Sequence, residues 1–241
     1  MSNADTPASA PPVLRGYPLK VRRFELAGRT FELLGPANYE ELLEDPRVQE
    51  RFARDEYLPY WAEFWPASLL LADAVAAWGP PPPGRPPPRV LELGCGLGLV
   101  SLLLSHLGYA VTAADYEEDA LAFVVESARR NRLVPPETLV LDWRETYAPL
   151  CFDRIVAAEV LYESRSLRPV AEFIHNHLSP QGLALISDAN RSTADDFEAV
   201  ARHCGLAVEI TPADRPGLGA GEIIRGRLLR VTQKPKGADE A

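Results

Sequence analysis

Apolar residues along this chain recur with two different periods, and the change between them sets out its organisation. From Leu19 to Leu34, Val21, Phe24 and Leu26 alternate with polar neighbours, Gly28-Arg29 interrupts, and Phe31 and Leu33 resume, which predicts a β-hairpin. Asn38 to Leu43 reads as a short helix. A longer helix is expected after Pro66, a favourable first-turn residue, with Leu69, Leu70, Ala72, Val75 and Ala76 along it. Seven prolines in the nine residues Pro80 to Pro88 then exclude both helix and central strand. Beyond them short apolar runs alternate with amphipathic segments, the signature of parallel strands joined by crossover helices.

Strands are expected at Val90–Leu93, Ala110–Ala114, Thr138–Leu141, Arg154–Ala158, Leu183–Ser187, Ala207–Ile210 and Ile223–Val231. Helices are expected at Leu97–Leu107, Glu117–Arg130, Leu167–Leu178 and Thr193–Cys204, the second with acids in its first turn. No long helix separates the last two strands, so an antiparallel hairpin should close the sheet. The fold class is therefore α/β: a doubly wound, mostly parallel, Rossmann-like seven-stranded sheet. The predicted divisions are a disordered arm (1–16), an N-terminal hairpin and helix extension (17–79), a Pro-rich linker (80–88), the core (89–233) and a disordered tail (234–241).

With 46% hydrophobic and 24% charged residues, the composition is that of a globular protein. The longest apolar run, Pro66 to Trp78, is too short to span a bilayer and contains Asp73, so no membrane partner is expected. Met1 to Pro12 lacks the marks of a signal or transit peptide. Cys95, Cys151 and Cys204 are three and far apart, which fits a reducing cytoplasm and no metal site. A formal charge of -9 disfavours nucleic acid as a partner. His175 and His177 lie two apart on one predicted helix and are read as solvated; His106 and His203 are read as caps or surface residues.

The chemistry is concentrated where the first core strand meets its helix. Leu91-Glu92-Leu93-Gly94-Cys95-Gly96-Leu97-Gly98 brings backbone close to a ligand, because a Cβ at the glycines would push it away. Leu99 stands where a dinucleotide loop needs its third glycine. Glu92 suits a ligand bearing ammonium and sulfonium charges, which points to S-adenosyl-L-methionine; a plain tight turn is the alternative. Asp115, about 20 residues on at a strand end, can accept from ribose hydroxyls. Tyr116 adjoins it. Asp142 and Trp143 end the next strand, where the acid could accept from an adenine amino group and the indole cover the ring, unless they are a turn acid and a core aromatic.

The series from Glu92 to Gly98, with Asp115 and Asp142, resembles the cofactor-binding series of class I methyltransferases across about residues 89 to 231. That resemblance implies an S-adenosylmethionine-dependent enzyme with an antiparallel last strand. Pro59 to Pro66 (PYWAEFWP), with Ala158-Glu159-Val160-Leu161-Tyr162, looks like the seven-β-strand protein lysine methyltransferase group. The resemblance implies that Trp65 and Ala158 border the cofactor, and that Glu159 and Tyr162 border the acceptor channel as catalytic residues. Glu159 stands where the group has Asp. Trp61 and Tyr162 would face the acceptor cation, although Trp61 and Trp65 also suit a core role on one helical face. The expected activity is N-methylation of lysine in a protein substrate by a monomer. The alternatives are N- or O-methylation of a small-molecule amine or metabolite, a catalytically silent cofactor-binding module, or an oxidoreductase, which Leu99 disfavours.

Overall fold

A computed structural model describes residues 12–56 and 58–234. Most of the expected arm and tail, residues 1–11 and 235–241, lies outside them. Residues 12–16 do not belong to a disordered arm. Val13–Leu14 (β1) pairs antiparallel with Tyr17–Leu26 (β2), and Arg15 Nε donates to Asp119 at 2.9 Å. β2 pairs with Arg29–Pro36 (β3) as the expected hairpin, but the turn sits one residue earlier, at Ala27-Gly28. Both turn residues have positive φ, 49° and 73°, the geometry that suits a tight two-residue hairpin.

The hairpin is docked on the core by side chains that complete the hydrogen bonding of β3. On Glu118–Arg130 (α5), Ser127 Oγ accepts from Leu34 N at 3.0 Å. Asn131, the C-cap of α5, accepts from Glu32 N at 2.9 Å and donates to Glu32 O at 2.6 Å. Tyr39–Leu43 (α1) forms as expected. Pro46–Asp55 (α2) was not foreseen. Asp45 caps it with Pro46 in the first turn, and Val48 is its one buried residue among those described. Such a helix carries no buried stripe for periodicity to reveal.

Ala67–Ala76 (α3) is buried almost all round. It packs against Leu99–Leu107 (α4) and the sheet, so the proline-rich stretch after it interrupts the sequence but not the packing. The sheet runs Glu137–Val140 (β6), Ala110–Asp115 (β5), Arg89–Leu93 (β4), Phe152–Ala158 (β7), Leu178–Asp188 (β8), Ile223–Gln233 (β10), Leu206–Pro216 (β9). The first five are parallel, and β10 inserts antiparallel between β8 and β9. Alternate residues feed opposite faces, as the strand period of two requires. Val90, Val156 and Leu185 join the cluster of α3, α4 and the hairpin. Leu91, Ile155, Ala157 and Ile186 join that of Ser164–His177 (α6) and Phe197–His203 (α7). His177 is buried, unlike the exposed His175, and its Nδ1 lies 3.0 Å from Leu150 O, correcting the solvated reading. His106 and His203 are exposed.

Strand order reverses between β4 and β7. A crevice forms there beyond the carboxyl ends of parallel strands, which is where open α/β sheets take ligands.

Candidate active site

The loop after β4 is held in a conformation that glycine alone adopts without strain. Gly94, Gly96 and Gly98 have φ of 66°, 50° and 79°. A Cβ on Gly98 would lie 2.5 Å from Val124 Cγ2 on α5, so this glycine lets the loop and α5 touch. A Cβ on Gly96 would meet the backbone of Trp61 at 3.4 Å, so this position is confined by the chain as well as open to a ligand. Cys95 N donates to Ala114 O at 2.9 Å, which ties the loop to β5, and the buried Cys95 thiol is pushed well above its usual pKa by desolvation.

Two buried carboxylates stand on either side of this loop. Glu92 Oε2 accepts from Ser101 N at 2.7 Å and from Ser101 Oγ, fixing it at the first turn of α4. Asp115 Oδ2 accepts from Gly96 N at 2.8 Å and Oδ1 from Glu117 N at 3.0 Å, so its first role is to shape the loop. Each oxygen keeps a second lone pair for a ligand hydroxyl. Burial pushes Glu92 up to about 7 and Asp115 up to about 6, against the hydrogen bonds they accept. Among the described residues neither has an Arg, Lys or His partner.

Both line a cavity of about 550 Å³ at the switch point, whose walls bring together Trp65, the glycine loop from Gly94 to Gly98, Tyr116, Asp142, Trp143, Ala158, Glu159 and Tyr162. Two details differ from expectation. Asp142 is not a lone acid: Arg144 Nε and Nη2 grip its carboxylate at 2.8 and 2.6 Å. Burial raises its pKa, but the Arg144 bonds outweigh that and lower it. The same guanidinium lies 5.7 Å from the exposed Tyr116 ring, giving that end of the cavity a stacked cation that the two-residue spacing could have suggested. Trp61 also lines the cavity, but its ring is packed into the core. It sits in a 3-10 turn, Tyr60–Ala62, and the chain is extended at Glu63, so Trp61 and Trp65 never share a helix face. The Trp61 ring is buried against Tyr17 and Phe123, with centroids 5.7 Å away in each case.

Tyr60 lines the cavity as well. Its ring is 5.1 Å from Tyr162 and 5.7 Å from Trp65, whose Nε1 donates to Tyr60 O at 2.8 Å. Three aromatic rings thus wall the end of the cavity where Glu159 projects. Glu159, 7% exposed, has φ 59°, a left-handed conformation rare outside glycine, and its N–H donates to Ser187 O on β8. Arg191 Nε donates to its Oε2 at 2.8 Å. No sequence signal links residues 32 apart in this way.

A doubly wound sheet, a glycine loop at its switch point and two buried acids with no cationic partner among the described residues suit a cationic ligand that approaches the backbone. A family profile described as a methyltransferase domain matches residues 63–215, more than half of the chain, and the chain belongs to that family. Its cofactor is S-adenosyl-L-methionine. The residues present fit it, since two buried acids with no protein cation among the described residues stand beside a loop open to backbone contact. The chain is 27% identical over 104 residues to the ubiquinone biosynthesis O-methyltransferase of Rickettsia akari, covering 43% of this chain and 41% of that protein. It spans less than half the length of the curated relatives it matches.

Among solved structures, a TehB-like SAM-dependent methyltransferase from Corynebacterium glutamicum superposes with TM-score 0.54 at 19% identity, over 82% of this chain and all of the other. The N-methyltransferase NodS from Bradyrhizobium japonicum, solved with S-adenosyl-L-homocysteine, gives TM-score 0.53 at 20% identity over 83% and 94%. Both likenesses concern the fold. No helix of the described chain is long and apolar enough to cross a membrane.

Proposed function

We propose that this methyltransferase N-methylates an amine, and that the acceptor is a lysine side chain of a protein. The reading rests on one observation: the aromatic walls Tyr60, Trp65 and Tyr162 enclose the end of the cavity where the buried carboxylate of Glu159 projects. Aromatic faces accommodate an alkylammonium, and a carboxylate can receive its N–H. When bound, S-adenosylmethionine supplies an electrophilic methyl on a sulfonium. Glu92, Asp115 and the glycine loop hold the cofactor, with Trp143 covering its base. Tyr60, Trp65 and Tyr162 exclude water and align the amine, and alignment supplies most of the acceleration in such a displacement.

A lysine ammonium must lose its proton first. With a pKa of about 10.4, about 0.1% is neutral near pH 7.4, a cost of roughly 4 kcal/mol. Glu159 orients the amine and passes its proton to water. Tyr162, pushed up to about 12 by burial, stays a neutral phenol and serves as a wall and a hydrogen-bond partner.

A second reading, methylation of a small-molecule amine or hydroxyl, has its own support. The Glu159–Arg191 pair carries no net charge, which removes the pull that a lone acid exerts on a cation. Incubation with radiolabelled S-adenosylmethionine and lysate separates the two. Label on lysine Nε of a protein is the expected result, and label only in small molecules overturns it.

A further inference from the structure

Arg191 lies outside every motif that identifies the cofactor site, yet its backbone is held at both ends. Its N–H donates to Asp188 Oδ1 at 3.0 Å, and its carbonyl accepts from Arg227 Nη2 at 2.8 Å. Arg227 Nε also donates to the same Asp188 oxygen at 2.9 Å, and Asp188 is fully buried at the end of β8. The antiparallel strand β10 thus anchors, through Arg227, a loop that begins where β8 ends. From that anchor the Arg191 guanidinium reaches Glu159 beyond β7 and lies 5.8 Å from the Trp65 ring. Both it and Glu159 line the cavity. Among the described residues only Nε meets an acceptor, although a guanidinium has five N–H donors.

The geometry points to Arg191 as a positioning residue for methyl transfer: its guanidinium fixes the Glu159 carboxylate on the acceptor wall and sets a positive charge beside the nitrogen to be methylated. The inference rests on the acceptor end proposed above. It also answers a difficulty there. A lone buried carboxylate stabilises the ammonium form of an amine and so works against the neutral nucleophile. A carboxylate already paired to Arg191 can still accept an N–H from the amine, while the neighbouring cation disfavours the charged form.

The remaining charged groups of this wall are engaged elsewhere. Glu63 pairs with Arg22, Glu163 with Arg165, and Arg165 also with Glu56 at 3.0 Å. Asp188 acts on Glu159 in the opposite sense to Arg191, and the Ala189 N–H in the same sense. Burial leaves Glu159 above its ordinary value despite the guanidinium. Removal of Arg191 should therefore raise it further.

The test follows the Glu159 side-chain carboxyl by 13C NMR in the full chain with S-adenosylhomocysteine bound, its signal assigned by its loss in Glu159→Gln. In Arg191→Met the carboxyl should bind its proton at least about tenfold more tightly than in the parent, the effect expected of losing an opposite charge in contact. Arg191→Lys should restore part of the difference. Arg191→Gln replaces the methionine variant where that does not fold, and calorimetry with S-adenosylhomocysteine confirms an intact cofactor site. Methylation of poly-L-lysine is measured in parallel against pH, and the limb on which activity rises as the amine loses its proton should move to higher pH without Arg191. An unchanged titration with poly-L-lysine still methylated overturns the role of Arg191 and leaves the lysine reading standing. A shifted titration with no methylation of poly-L-lysine by the parent supports Arg191 and overturns the lysine reading.

Discussion

Acidification should weaken cofactor binding, because Glu92 and Asp115 are buried beside the glycine loop with no basic partner among the described residues. Their carboxyls are pushed up by desolvation to about 7 and about 6, from ordinary values of 4.5 and 3.8. In the ligand-free chain the sign is that of raised acids. Their contribution to stability is fully present below the unfolded-state values and is lost as pH rises through the folded ones. For Glu92 that loss is about 3 kcal/mol, at about 1.4 kcal/mol for each tenfold change in proton affinity. A ligand bearing sulfonium and ammonium charges selects the ionised acids and reverses the trend.

If both must ionise to bind, affinity for S-adenosylmethionine should fall about 60-fold between pH 7 and pH 5.5, and binding near pH 6 should release about 1.4 protons. Titration calorimetry at each pH, in buffers of different ionisation enthalpy, reads both quantities. The thermal shift caused by the cofactor should shrink over the same range. S-Adenosylhomocysteine, a neutral thioether, should show a shallower dependence. Glu92→Gln should remove most of the proton release. An affinity flat from pH 5.5 to 7, with no proton released, would refute the assignment of these acids to the ligand's charges.

Gly98→Ala combines a left-handed backbone with a contact at 2.5 Å to Val124, and should cost about 2–5 kcal/mol by chemical denaturation; a loss below about 1 kcal/mol would mean that α5 shifts freely. Asn131→Ala leaves Glu32 N and O unpartnered beneath the hairpin and should cost about 1–3 kcal/mol, with cofactor affinity within twofold of the parent. A change in affinity there would show that hairpin docking shapes the cavity. Trp143→Ala should weaken cofactor binding by about 1–3 kcal/mol if its indole covers the base, with Trp143→Phe restoring most of it. Equal affinity in all three proteins would make Trp143 a packing residue only.

What was legible in the sequence was what neighbouring residues encode together. The run from Leu91 to Gly98 is strand, turn and helix in one stretch, and Asp115 is recognisable because an acid ends an apolar strand. The seven strands were visible for the same reason, although β8 and β9 are each 11 residues long and extend well beyond their apolar centres. Helix α2 escaped because its stability comes from a capped start and ionic contacts rather than a buried stripe; Arg51 on it meets Glu117 at 2.6 Å. The shared face expected of Trp61 and Trp65 does not form, for a geometric reason. A four-residue spacing predicts a shared face only on a continuous helix, and here the chain leaves the 3-10 turn at Glu63.

The proposed acceptor end is less legible than the cofactor end because of how each is built. Cofactor residues come mainly from single strand ends, so each can be found by its own local signal. Glu159 and Arg191 meet only because β7 and β8 are adjacent, each presented just past its strand where the chain turns left-handed, at Glu159 and at Asn190. Such turns cost of order 1–3 kcal/mol each when the residue is not glycine, and persist where surrounding contacts hold them. Here the contacts are the Glu159 N–H on Ser187 O, the Arg191 N–H on Asp188, and Arg227 on both Asp188 and the Arg191 carbonyl. The antiparallel strand β10 is therefore more than a closure of the sheet. By carrying Arg227 it fixes the loop that lines the cavity beside Glu159, where we place the acceptor, so on that proposal Arg227→Met should lower methyl transfer while leaving calorimetric cofactor affinity within about twofold, and an equal loss of both would refute it.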